Sequence, residues 1–361
     1  MALLRSNSRI LYISEAHPGP YPYVFEGVPD AIQAVGCEVS RLDPGPATFD
    51  TYREQITRFK PDLAFCFLRH PRAVRKVADW LDQYHPVPAL NWFQEDPNGV
   101  TAELMDASRR FDHWFTIDAR MVPFWPTRAH FMPPTFDERV YDDFGRAREF
   151  AVSYVGLLGH RLSSEMYMPY MQELARYGKK ALICSERPMR LPLLPWTLER
   201  ALRWRRARPL LRHLPIWKCT WENPADEKQK ALVLNRSKIH FGMSRVRGYW
   251  EEDLKALVPA YPVDEHGMYY QLKPRLFQAV GAGAMALNDY CPELEDLFEI
   301  GKEIVTFRFD DLAELREKLA WYTSHDAERE RIAIAGYRRG RRQHTFAARI
   351  RQILDVVRGQ S

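Results

Sequence analysis

Residues 273–283 read Lys-Pro-Arg-Leu-Phe-Gln-Ala-Val-Gly-Ala-Gly. They place Lys273, Arg275 and Gln278 at the start of a helical pattern that ends in Gly281 and Gly283. Arg275 and Gln278 are three residues apart and share one helix face. A guanidinium beside the unpaired N–H groups of a helix start is a geometry that holds a phosphorylated ligand. The two glycines end the helix without a Cβ, so the next strand can pack closely. Asp289-Tyr290-Cys291-Pro292-Glu293 follows that strand, a turn with two carboxylates that either line the ligand site or cap and pair with the next helix. An earlier stretch, Val155-Gly156-Leu157-Leu158-Gly159-His160-Arg161, lies between a strand and a helix. Gly156 and Gly159 there let a ligand approach the backbone, and Arg161 offers a bidentate phosphate contact. Near the N-terminus, His17 and Asp96 sit in loops after predicted strands, flanked by Glu15 and Glu95. An imidazole or a carboxylate in such a loop can take a proton from a hydroxyl.

The elements that must position these residues alternate. Apolar runs at 9–14, 37–42, 62–68, 87–93 and 111–117 predict strands, and the segments 24–35, 49–59, 71–84 and 100–109 predict helices. The pattern stops over 131–148, around Pro133-Pro134. It restarts with strand 150–155, helix 163–177 and strand 180–184. From about 226 it resumes through strand 239–242, helix 271–281, strand 284–288, helix 292–298, strand 303–307, helix 311–322 and a last helix over 346–358. Strand–helix alternation with short connections predicts an α/β fold with parallel sheets buried on both faces. Domains are expected over 1–132 and 150–345, with a linker at 133–149 and a terminal helix, 346–361, crossing back to the first. Ligands of such sheets bind at the carboxyl ends of the strands.

The chain has 361 residues and a net charge of +5. Residues 1–150 carry 17 Lys+Arg against 21 Asp+Glu, a balance of −4, whereas 151–361 carry 35 against 26, a balance of +9. The basic half suits an anionic ligand such as a nucleoside diphosphate, or an anionic membrane surface. Five scattered cysteines (37, 66, 184, 219 and 291) have no metal-type spacing and read as reduced, buried thiols. No apolar run approaches the roughly 20 residues that span a bilayer, and no signal-peptide pattern opens the chain, so a cytoplasmic location is expected. Residues 186–218 interrupt the alternation with a basic aromatic insertion. Over 196–212 it has Trp196, Arg200, Arg203, Trp204, Arg205, Arg206, Arg208 and Arg212. Such a helix lies on anionic lipid or covers a core with its arginines in water. No nucleic-acid motif accompanies it, so no nucleic-acid partner is expected.

The order Arg275-x-Phe277, then Gly283 and the Asp289–Glu293 turn, resembles the C-terminal half of the CgeB-like (spore maturation protein type) glycosyltransferases. The resemblance is strong over 226–358. It is weaker over 61–145, where Lys60-Pro61-Asp62-Leu63, Glu95-Asp96-Pro97 and Phe111-Asp112-His113-Trp114-Phe115-Thr116 echo the family. It implies the GT-B architecture, two Rossmann-like domains facing each other across a cleft. It also implies transfer of a sugar from a nucleotide-sugar donor (UDP-, GDP- or dTDP-linked) to the hydroxyl of a saccharide, a lipid-linked acceptor or a small molecule. No metal or other cofactor is expected. Arg161, Lys273 and Arg275 are then expected at the diphosphate, with Gly156, Gly159, Gly283, Asp289 and Glu293 around the donor, and Asp96 or His17 at the acceptor. Gln278 stands where the family usually has a glutamate that holds the ribose hydroxyls. An amide accepts a hydrogen bond there but brings no charge. Alternatives of other classes are a non-catalytic binding or coat-associated protein, a sugar-nucleotide epimerase of the same fold, and a membrane-peripheral scaffold.

Overall fold

The structure is a computed structural model that describes residues 7–15, 22–95, 97, 99–156, 161–184, 218–222, 224, 226–246 and 255–359. The chain divides into two compact units. The first holds Met1–Asp137, Gly248–Leu272 and Arg342–Ser361, and the second holds Glu138–Arg247 and Lys273–Arg341. The stretch 248–272 thus groups with the first unit, although its position in the sequence predicted the second domain.

The first unit is built on six parallel strands: β1 (Arg9–Ser14), β2 (Glu38–Leu42), β3 (Leu63–Phe67), β4 (Ala89–Phe93), β5 (His113–Thr116) and β6 (Ala129–Phe131). Their order in the sheet is β2-β1-β3-β4-β5-β6. β3 and β4 are buried at every residue, which is why their sequences read as continuous apolar runs rather than alternating ones. The crossovers are α1 (Pro22–Ala34), α2 (Phe49–Phe59), α3 (Pro71–Gln83) and α4 (Ala102–Ser108). α2 starts on a capping box between Thr48 and Thr51. α3 starts on Pro71 and buries Val74, Val77, Ala78, Trp80 and Leu81 along one stripe. β6 was not apparent in the sequence, because it is three half-buried residues on the sheet edge.

The second unit repeats the scheme. Its sheet has the order β14-β13-β10-β7-β8-β9, all parallel. The strands are β7 (Phe150–Val155), β8 (Ala181–Cys184), β9 (Thr220–Glu222), β10 (Ser237–Gly242), β13 (Met285–Asp289) and β14 (Val305–Phe307). Two-residue strands β11 (Arg245–Val246) and β12 (Tyr269–Tyr270) fall between them in the chain. The helices are α5 (Arg161–Ala175), α6 (Glu227–Asn235), α7 (Pro274–Gly281), α8 (Glu293–Leu297), α9 (Leu312–Ser324) and α10 (Asp326–Gln343). α10 corrects the sequence expectation, which left 323–345 without an element.

The chain ends in α11 (Phe346–Arg358), whose first turn is capped by the Thr345 hydroxyl accepting from the Ala348 N–H at 3.1 Å. Its residues Phe346, Ile350, Ile353, Leu354 and Val357 enter one core with Ile10, Tyr12, Val28, Ile32, Phe65 and Trp92. The last helix is therefore part of the first unit's interior. Two parallel six-stranded sheets with helical crossovers make each unit Rossmann-like. Among the described residues no helix is long and apolar enough to cross a membrane.

Candidate functional site

In the second unit, the carboxyl ends of β7, β10 and β13 meet the N-terminus of α7. Pro274 at the first helical position fixes that start. One turn of helix then carries Arg275 back over the end of β7. Its Nη1 donates to the Val155 carbonyl at 2.8 Å and to the Tyr154 hydroxyl at 3.4 Å, and its guanidinium lies 5.8 Å from the centre of the Tyr154 ring. Gly156 is the next residue, and a Cβ there would land on the Arg275 guanidinium. The glycine makes room for a side chain of the same unit. Lys273, the residue before the helix, is half-buried beside it.

The floor of this edge is polar and locked. Asp289 ends β13 with its carboxylate accepting from the backbone N–H groups of Ser244 (2.5 Å) and Arg245 (3.1 Å). The Arg245 guanidinium stands 3.7 Å away. Asn288 donates to the Ser244 hydroxyl at 2.9 Å. Together they hold the loop that leaves β10. Burial pushes the Asp289 carboxyl up to about 6, against the pull of those two N–H groups and Arg245. His240, inside β10, has its Nδ1 3.4 Å from the Ser153 hydroxyl, and its Nε2 has no hydrogen-bond partner. Burial, with the Arg275 charge second, pushes this imidazole down to about 3, so it is neutral.

Gln278, one turn after Arg275, is buried. Its Nε2 donates to Glu227 Oε2 at 3.3 Å. Glu227 is the first residue of α6 and is itself buried, with Lys230 on one carboxylate oxygen and the Tyr141 hydroxyl on the other. Glu293 is buried at the first position of α8.

The first unit has its own carboxyl edge. Glu15, just past β1, accepts from the backbone N–H groups of Arg69 and His70, both at 3.4 Å. Arg69 in turn donates to Glu95 at 2.7 Å, past the end of β4. Gln271 donates to the Glu95 carbonyl at 3.2 Å. Past β5, Asp118 is bound by Arg120 at 3.0 Å and by the Tyr261 hydroxyl. The stretch 255–272 thus completes this edge with Tyr261 and Gln271.

Residues 178–355, just under half of the chain, match the family described as glycosyl transferase-like. In fold, the chain is similar to sucrose-phosphate synthase from Thermosynechococcus elongatus (13% identity, TM-score 0.64, covering 98% of this chain and 100% of that one). It is similar to a glycosyltransferase from Rickettsia africae ESF-5 (7% identity, TM-score 0.65, 99% of each chain). It is also similar to Anabaena HepE in complex with UDP (10% identity, TM-score 0.61, 97% of this chain and 100% of that one). No curated protein matches it in sequence. The chain has the GT-B fold, and its residues 178–355 are glycosyl transferase-like.

Within the second unit, Gly156, Lys273, Arg275, Asp289 and Glu293 share the carboxyl edge, and Gln278 lies one helical turn from Arg275. Gly283 is elsewhere. It adopts φ +71° where β13 begins, at the opposite edge, and a Cβ there would meet Arg148 and Asp143, each at 2.8 Å. Its role is a turn that only glycine adopts without strain. His17, Asp96, Gly159 and the segment 196–212 lie outside the described residues, as does the Arg161 side chain. Glu227, Lys230, Tyr141, Ser244 and Arg245 were not among the residues expected from the sequence. An i,i+3 Glu–Lys pair just after the Asp226 cap was the one local signal for the first two.

Proposed function

We propose that this chain is a glycosyltransferase that moves a sugar from a nucleotide-sugar donor to an acceptor hydroxyl, in the manner expected of the CgeB-like group. One observation carries the assignment: a guanidinium from the family-matched stretch, seated by Val155 and Gly156 at the strand ends of the second unit. Sugar transfer leaves a nucleoside diphosphate, and negative charge grows on it as the glycosidic bond breaks. Fixed positive groups and helix N–H groups aimed at that position lower the barrier, because they are already oriented when the charge appears. Arg275, Lys273 and Arg161 at the start of α5 are assigned that work, and a metal ion is not required for it. Gln278 is assigned to the ribose hydroxyls. Asp96 or His17 is assigned to the acceptor hydroxyl, as the proton acceptor. HepE, similar in fold, has been solved with UDP-glucose, which supports a uridine diphosphate donor here.

Arg275→Ala tests the assignment by calorimetric titration with UDP. Loss of a charge-assisted phosphate contact is expected to weaken binding by on the order of 100-fold. Unchanged affinity would remove Arg275 from the diphosphate site. Turnover of radiolabelled UDP-glucose by the wild-type protein, absent in the same variant, is the matching expectation for activity.

A further inference from the structure

We infer that Glu227 is a positioning residue: it fixes the side-chain amide of Gln278 so that position 278 meets the donor only as an acceptor of hydroxyl protons. The inference rests on the nucleotide-sugar donor proposed above.

Glu227, Lys230 and Gln278 are 7%, 7% and 3% exposed, so their polar groups must satisfy one another. Asp226 caps α6 by accepting from the Gln229 N–H at 2.8 Å, which sets Glu227 at the first position and Lys230 on the same face one turn on. The Lys230 ammonium holds Glu227 Oε1. The Tyr141 hydroxyl and the Gln278 amide both address Oε2. A carboxylate paired with an ammonium is an acceptor only. Only the NH2 end of the Gln278 amide can therefore face it, since the carbonyl end would set two acceptors together. The usual ambiguity of amide orientation is removed by charge. Oε1 of Gln278 then points away from Glu227, and no described residue donates to it. That oxygen is left to accept from water or from a ligand hydroxyl. It sits one helical turn from Arg275, where a ribose hydroxyl falls if the guanidinium holds the adjoining diphosphate.

The same geometry explains why the acid that the resemblance leads one to expect at 278 does not suit this chain. A second carboxylate would stand about 3 Å from the first, and two such groups cannot both be ionised at ordinary cost. The negative charge is carried across the contact by Glu227 instead.

The test compares UDP with 2′,3′-dideoxyuridine diphosphate by calorimetry, using the ratio of the two affinities as the readout. A merely structural role for Glu227 would shift thermal stability and leave that ratio alone. The wild-type protein is expected to prefer UDP by about ten-fold, the size of one good hydrogen bond. Gln278→Met and Glu227→Gln are each expected to bring the ratio close to one. The charge exchange, Glu227→Gln with Gln278→Glu, is expected to return it to within about three-fold of wild type, because one amide again faces one carboxylate. If Glu227→Gln does not fold, Tyr141→Phe loosens the same carboxylate oxygen and is expected to lower the ratio. A wild-type ratio near one, a ratio that survives Glu227→Gln or its substitute Tyr141→Phe, or an exchange no better than the single changes overturns the inference. Wild-type protein that binds no UDP overturns the donor reading and this inference with it. Arg275→Ala, which leaves the Glu227–Gln278 contact in place, tests the donor reading alone.

Discussion

Arg275 is a long, flexible cation, and such a side chain in water loses much of its value through disorder. Here its position is prepared by two residues that carry no charge. Val155 offers a carbonyl, and Gly156 offers the absence of a side chain. Asp289 does comparable work for the neighbouring loop, since its buried carboxylate ties down the N–H groups of Ser244 and Arg245. A group buried in this way fixes the shape of the loop beside it. Gly156 is therefore the more revealing position to change. In Gly156→Ala the new methyl displaces the guanidinium from its seat. Nucleotide affinity is expected to fall nearly as far as in Arg275→Ala, while overpacking costs only about 1–3 kcal/mol of stability. Titration with UDP beside a urea denaturation curve checks both halves. An alanine variant that binds normally would show that the arginine works equally well from another place.

At the scale of elements, α11 is the case where position in the chain and position in the fold part company. Its capped start and its stripe of Ile350, Ile353, Leu354 and Val357 place it in the interior of a unit whose six-stranded sheet and crossover helices come from the opposite end of the sequence. Ile353 is fully buried there. Ile353→Ala is expected to cost about 2–5 kcal/mol in chemical denaturation, the usual range for emptying a core site. A change of a few tenths would mean that the helix only covers the surface. Such elements are legible beforehand because burial on one or both faces leaves its period in the sequence, as in 63–67, 150–155 and 346–358. α10 left no such trace. Its buried positions are Arg329, Ile332, Gly336 and Gly340, and Gly336 lies so close to the Glu303 carbonyl that no side chain fits. A helix that packs through its backbone has no apolar stripe to detect. The site divides in the same way. Arg275, Gln278 and the flanking glycines were readable because they are close in sequence. The Glu227 cluster was not, because Tyr141 and Gln278 lie 86 and 51 residues away from it.

For the molecule as a whole, the net charge of +5 grows as acid protonates histidines and carboxylates, and self-repulsion adds to any local cost. The first unit has a specific weak point. His113 on β5 and His130 on β6 stack, with Nδ1 of one 3.1 Å from Nε2 of the other. That contact needs one ring to donate and the other to accept, so at least one must be neutral. Burial first, then His113 and Arg128, pushes His130 down to about 4, against 6.5 for an ordinary imidazole, and His113 is lowered for related reasons. Between those values the unfolded chain binds the proton and the folded chain does not. The stability contributed by the neutral ring is therefore complete above about 6.5 and is lost as the pH falls toward 4. Asp289 works in the other direction in the second unit: its raised pKa lets the folded state take a proton first between about 6 and 3.8. A bare comparison of melting temperatures would mix the two effects, so the variant must carry the test. His130→Gln keeps a donor and an acceptor beside His113 but cannot be protonated. The wild-type protein is expected to lose more thermal stability than this variant between pH 7 and pH 4.5, with the gap opening below about 6.5. Parallel curves for the two proteins across that range would show that the histidine pair is not where acid acts.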